Sequence, residues 1–324
     1  MAYNKSLQIN DNTYAGEQLA GFINAAVLQA ESIERGLVTV VSGVMGGGLT
    51  MKIGSDLASP LAAYTCDFSA AQATNLNERK LTLTKLKVDR EYCKDDFFGQ
   101  WLAFQTGTRS SMELPTEFQS WLEGYLISLV AQQNEYTIWQ GNFTPGGLAA
   151  TYTAYTGICE RLDAANVNVE NLVTAASGNA AIAAFATPAD VNHNMQVALD
   201  ALPNSLRGKY TTVKFFVSPY TYELYFRHLA NEGLANMYQA ADRPVTFLGY
   251  EVAIAPGMAE NCIVLGESSN LFVGTTSEAD LTEAIFLDMK DKDASDNVRV
   301  RLSLAIGTQV AIPGDTVLVR PSIT

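Results

Sequence analysis

Few residues in this sequence have the type and spacing that chemistry needs. The chain holds two histidines, His193 and His228, and four cysteines, Cys66, Cys93, Cys159 and Cys262. The cysteines are far apart and form no C-x-x-C pair, so a zinc site would have to gather mixed ligands from distant segments. Free, mostly buried thiols in a reducing compartment are the plainer reading. Cys93 stands beside Asp95 and Asp96 with no histidine near it in sequence. His193, in ADVNHNMQ, and His228, after Tyr225, Phe226 and Arg227, both fall on expected helices as ordinary capped or surface residues. A cysteine–histidine pair could form only through space.

The acidic run DMKDKDASD carries Asp288, Asp291, Asp293 and Asp296. Clustered carboxylates can hold calcium. Here the spacing departs from D-x-D-x-D-G, and Lys290 and Lys292 interrupt it, so a solvated hairpin tip is expected. The glycine-rich run at residues 43–48, within SGVMGGGLTMK, lacks the Gly-Lys-Ser/Thr ending that brings a cation and a metal-binding hydroxyl to phosphates. A bend is expected instead, because glycine supplies the positive φ that bends require. No G-x-S-x-G elbow, HExxH or dinucleotide fingerprint appears. The sequence thus presents no catalytic, cofactor-binding or metal-binding set, and a protein that is not an enzyme is expected.

Composition narrows the remaining classes. With 324 residues, the chain suits one large unit or two intertwined ones. Charged residues make up 17% of it, against about 25% in typical soluble domains. Low charge density fits a surface that is partly buried in subunit contacts; a neutral Ala- and Thr-rich surface is the alternative. The net charge of −13 argues against a dedicated nucleic-acid reader, which needs a cationic face. It does not argue against a container for DNA, because an acidic inner wall leaves the polymer mobile. The N-terminal sequence lacks the basic start and apolar run of a signal peptide. No stretch of about 20 apolar residues is present, so no membrane span is expected.

The elements follow from caps and periodicity. Residues 16–35 read as an amphipathic arm, with Leu19, Phe22, Ile23, Ala26, Val27, Ala30 and Ile33 at helical spacing and Gly36 as the stop. Strands are expected at 37–41 and 49–53, then a polar linker over 57–79. Residues 81–89 alternate but slip phase by one between Leu83 and Leu86, which predicts a bulge or strong twist in one long strand. Residues 37–92 together read as an extended two-stranded excursion, marginal alone in water. A short helix is expected at 94–107, with Phe97, Phe98, Trp101, Leu102 and Phe104 on its apolar face.

Pro115, with Glu117 in the first turn, opens the longest helix. Phe118, Trp121, Leu122, Tyr125, Leu126, Leu129, Val130, Tyr136 and Trp139 recur along it to Gly141, over roughly 35–40 Å. A Gly-, Pro- and Thr-rich loop at 142–155 and short strands and turns at 157–177 follow. Thr187, Pro188 and Asp190 form a capping box that starts a helix reaching Leu202. A buried strand at 213–217 leads to Ser218 and Pro219, a hydroxyl cap before a ring of fixed φ. These open a helix over about 220–230, stopped near Gly233. Further strands are expected at 245–255, 262–265, 271–274, 284–289, 298–305 and 316–319, with 290–297 as a hairpin turn.

This order of elements resembles the tailed-bacteriophage major capsid protein, the Hong Kong 97-type shell subunit. The closest local echoes are the strand–Ser-Pro–helix unit at 215–225 and the Gly-Tyr-Glu-Val, Ile-Val-Leu-Gly and Asn-Leu-Phe-Val-Gly strands within 247–274. The resemblance implies an α+β phage major capsid fold. Its parts would be an N-terminal arm (1–36), an extended loop (37–92), a peripheral domain with a spine helix (93–155 and 272–324) and an axial domain (156–271). It implies a structural protein that assembles with itself, as pentamers and hexamers, into an icosahedral head enclosing double-stranded DNA. That head would be the virion capsid, built in the host cytoplasm without a membrane, with portal and scaffolding or decoration proteins as partners. The arm starts almost at Met1, so a fused scaffolding segment is expected to be absent or removed. Some members cross-link through Lys and Asn; Lys52, Lys80, Lys85 and Lys87 lie in or near the loop, and nothing marks one as reactive. The competing readings are an encapsulin-like compartment shell and a soluble α+β enzyme.

Overall fold

The structure is a computed structural model. It describes residues 12–14, 30–44, 48–55, 66, 75–93, 116–144, 150–172, 187–233, 245–276, 283–289 and 297–321. Its strands are β1 (Asn12–Tyr14), β2 (Thr39–Val41), β3 (Leu49–Ser55), β4 (Asn75–Leu81), β5 (Thr84–Cys93), β6 (Val169–Leu172), β7 (Val213–Val217), β8 (Thr246–Phe247), β9 (Tyr250–Ile254), β10 (Ile263–Glu267), β11 (Leu271–Thr275), β12 (Glu283–Asp288), β13 (Asn297–Val310) and β14 (Val317–Pro321). Its helices are α1 (Glu31–Glu34), α2 (Thr116–Gln140), α3 (Ile158–Ala165), α4 (Pro188–Asp200) and α5 (Pro219–Asn231). The helix expected at 94–107, most of the arm and the 290–296 turn lie outside the described residues.

β13 organises the first sheet. On one edge β5 pairs antiparallel with it, from Asn297↔Cys93 to Ile306↔Thr84. The other edge takes β12 and then β11, both antiparallel. β2 adds parallel to β11, and β1 antiparallel to β12. Period-two alternation sorts the side chains of β13. Val298, Val300, Leu302, Leu304 and Ile306 are buried in the core that also takes Leu126, Val130 and Ile138 of the spine helix α2. The opposite face exposes Arg299 and Arg301, which meet Glu91 at 3.1 Å and Asp89 at 3.6 Å across the strand pair. Such exposed pairs are screened by water and add little to stability.

The phase slip near Leu83 is not a bulge in one strand. β4 ends at Leu81, the chain turns a corner at Thr82 and Leu83, and β5 begins in a different sheet. The corner rests on Gly274 and Gly307, which are paired directly across β11 and β13. A Cβ on Gly307 would stand 2.1 Å from the Thr82 carbonyl oxygen, and one on Gly274 would stand 2.8 Å from Leu81 Cδ2. Only glycine leaves room for the crossing. Leu81 is fully buried there, and Gln309 Nε2 donates to the Lys80 carbonyl at 2.8 Å. The two-stranded part of the excursion is therefore β3 with β4, from Leu49↔Leu81 to Ser55↔Asn75. β5, read as part of that excursion, belongs to the first sheet.

The second sheet has the order β6-β14-β10-β7-β9-β8. Both of its faces are buried, which explains the nearly continuous apolar runs of β7, β10 and β14. Phe216, Ala253, Val264 and Leu318 face the core shared with the first sheet and α2. Val213, Phe215, Val217, Ile263, Leu265, Val317 and Val319 face a second core, covered by α4 and α5. The expected caps are present. Thr187 and Asp190 close the capping box of α4, and Ser218 Oγ accepts from Thr221 N at 3.2 Å at the start of α5.

Three further expectations need correction. Residues 158–165, read within a region of short strands and turns, form α3. Its glycine N-cap, Gly157, gives no side-chain signal; Ile158, Cys159 and Leu162 turn one face into the shared core, and Asn166 ends it with φ +47°. Residues 317–321, read as closing the peripheral strands, instead lie between β6 and β10 in the second sheet. The strand expected over 245–255 is a tight hairpin, β8 with β9, turning at Leu248 (φ +48°) and Gly249 (φ +93°).

Candidate functional site

Among the described residues, those first considered for chemistry do not converge. Cys66 is exposed, Cys93 half-buried, and Cys159 and Cys262 are buried. Cys159 Sγ lies 3.6 Å from Met258 Sδ in an apolar setting. Burial pushes the Cys262 thiol up to about 12, and the Cys159 thiol well above its ordinary value for the same reason. Both stay protonated and unreactive at neutral pH. A thiol reagent is expected to modify Cys66 rapidly and to reach Cys159 and Cys262 only on unfolding, with mass spectrometry as the readout. Rapid labelling of Cys262 in the folded protein would contradict this packing.

His193 lies on α4 and His228 in the last turn of α5, in different helices. Gly43 (φ +78°) and Gly48 (φ +76°) provide the expected bend before β3. Asp95, Asp96, Asp291, Asp293 and Asp296 lie outside the described residues. Among the described residues, no three His, Cys, Asp or Glu side chains are grouped to hold a metal, and no helix is long and apolar enough to cross a membrane.

The geometry instead presents surfaces. The β3–β4 hairpin stands apart as its own two-stranded sheet. Leu49, at its root, is 40% exposed. A lone hairpin of this kind does not bury enough to be stable in water. The spine helix offers a second surface. From Gly124 to Gln140 its only charged residue is Glu135, which is buried. Its solvent side therefore carries Tyr125, Ser128, Leu129 and Gln132, with Tyr125 and Leu129 both exposed. A helix face without charges over four turns is unusual for a surface that stays in water. On the second sheet, Leu248 is 67% exposed at the hairpin tip beside Tyr210, whose ring lies 4.8 Å from that of Tyr250.

Sequence reasoning missed Glu135. The signal was available: it is the single charge in an otherwise neutral helical stretch. Its carboxylate accepts from Ser32 N at 2.9 Å, Ser32 Oγ at 2.6 Å and Gly257 N at 3.0 Å. Trp139 Nε1 donates to the same Ser32 hydroxyl at 2.8 Å.

No family model and no curated protein matches the sequence. Solved structures do match. A chain from the satellite phage P4 procapsid including size determination (Sid) protein aligns over 94% of this chain and 99% of its own, at 12% identity and a TM-score of 0.57. One from the capsid of a native GTA particle aligns over 91% of this chain and 90% of its own, at 16% identity and a TM-score of 0.56. One from Gordonia phage Cozz aligns over 90% of this chain and 87% of its own, at 11% identity and a TM-score of 0.57. At these identities the likeness is one of fold, and it spans nearly the whole chain. The mixed helix-and-sheet architecture is that of phage major capsid proteins.

Proposed function

We propose that the chain is a tailed-phage major capsid protein, a subunit that tiles with itself into a closed shell around double-stranded DNA. The observation that carries this reading is the fold match to capsid structures over nine-tenths or more of this chain and of theirs. The surfaces support it. A detached hairpin and an uncharged spine-helix face are costly on a lone subunit and useful when laid against a copy. Identical subunits that repeat such heterologous contacts close into rings and shells.

In this reading residues 1–36 form the arm, 37–92 the extended loop apart from β2 and β5, which join the peripheral sheet, 93–155 and 272–316 the rest of the peripheral domain, and 156–271 with β14 the axial domain. The β3–β4 hairpin is the reaching part of the loop. The axial domains gather as pentamers and hexamers, and portal and scaffolding or decoration proteins complete the head in the virion. The DNA is enclosed without sequence-specific contacts, in keeping with a chain of net charge −13.

Negative-stain microscopy of the purified protein tests the reading. Closed shells or capsomer rings are expected. A variant with residues 50–79 replaced by a short Gly-Ser linker is expected to keep its melting transition and lose assembly. A wild-type chain that remains a monomer at every concentration and salt would remove the proposal.

A further inference from the structure

We infer that Glu135 is a three-way clamp that makes docking of the arm and closure of the second sheet's lobe onto the spine helix a single event. The inference concerns contacts within one chain. Only its consequence for shells rests on the capsid reading.

Glu135 is 5% exposed, and no cation among the described residues pairs with it. A carboxylate taken out of water is costly unless hydrogen bonds replace the lost hydration. Its donors come from two segments far away in sequence. Ser32, at the end of the arm, supplies its backbone N–H to Oε2 and its hydroxyl to Oε1. Gly257, in the turn after β9, supplies its N–H to the same Oε1. Removing either segment leaves a buried charge short of donors and so weakens the hold on the other. Hydrogen bonds to a charged group each contribute more than neutral ones.

The surrounding contacts tighten the same junction. Trp139, one turn beyond Glu135 on α2, fixes the Ser32 hydroxyl. Gln140 Nε2 donates to the Gly257 carbonyl at 2.7 Å, so Gly257 is held at both its polar atoms by α2. A Cβ on Gly257 would stand 2.0 Å from the Glu135 carbonyl oxygen, so the turn is pressed against the helix backbone itself. Arg35 Nη1 reaches the Ile254 carbonyl at 3.4 Å, a direct link from the arm to β9. The arm, the spine helix and the lobe therefore meet at one carboxylate. In a shell built from such chains, the joint couples release of the arm to movement of the lobe.

Amide hydrogen exchange on the unassembled full-length chain provides the test. Ser32→Ala removes only a hydroxyl, and Glu135→Gln keeps the shape while removing the charge. Each is expected to raise exchange about tenfold at both residues 31–37 and residues 255–259, with the second core around β7 and β10 unchanged. Faster exchange in the arm with residues 255–259 at the wild-type rate in Ser32→Ala would overturn the clamp, because the two dockings would then be independent. Should Glu135→Gln fail to fold, the Ser32→Ala result alone decides. Absence of shells in the wild-type protein would count against the capsid reading and leave the exchange result untouched.

Discussion

Trp139→Ala is expected to destabilise the protein by about 3–5 kcal/mol, the range for removing a buried Trp or Phe side chain from a packed core. Trp139 is fully buried in the last turn of the spine helix. Its ring lies 5.6 Å from that of Phe216 on β7, so it bridges the helix and the second sheet. Its indole N–H is spent on Ser32, so the substitution also loosens the arm. At roughly 2–4 °C per kcal/mol, the melting midpoint is expected to fall by about 6–20 °C. Trp139→Phe, which keeps most of the volume and loses the donor, is expected to fall between the two. A drop of under about 3 °C for the alanine variant would show that the two sheets do not share one core.

Arg320→Ala carries the second large effect. Arg320 on β14 and Asp163 on α3 are 12% and 17% exposed, with Nε 2.9 Å from Oδ1. The approach is too oblique for a hydrogen bond, so charge attraction alone holds the pair. Burial raises the Asp163 pKa, and the Arg320 charge offsets only part of that rise. Removing the guanidinium strands a buried carboxylate, which typically costs about 3–5 kcal/mol. The sign of the pH dependence follows. With its folded pKa raised, ionised Asp163 costs stability above that pKa, and the cost disappears as pH falls through it. Chemical denaturation of Arg320→Ala is therefore expected to show its largest deficit at neutral pH and a shrinking one in acid. Asp163→Asn in the same background is expected to recover part of the loss at neutral pH. A deficit that is flat with pH would locate the effect in packing rather than charge.

What the sequence made legible was local chemistry. Ser218 with Pro219, and Thr187 with Asp190, announce helix starts because the cap bonds are made within three residues. The spine helix was readable because its apolar repeat continues to Gly141. The slip between Leu83 and Leu86 marked the right place but not the right cause. The corner depends on Gly274 and Gly307, far away in sequence, and neither announces what crosses it. β14 was assigned to the wrong neighbours for a similar reason: Val-Leu-Val reads the same in either sheet, and only tertiary pairing decides. At the candidate surfaces, low charge density hinted at buried contacts, while Glu135 passed unnoticed because its partners Ser32 and Gly257 are distant.

The position of β13 and β14 in the two sheets has a consequence for synthesis. β13 lies between β5 on one edge and β11 and β12 on the other, and β14 lies between β6 and β10. Both are made after every strand they join. Neither sheet can close while the ribosome is still reading the codons before residue 297. The nascent chain thus holds open sheet edges on both sheets until residues 297–321 have left the ribosome.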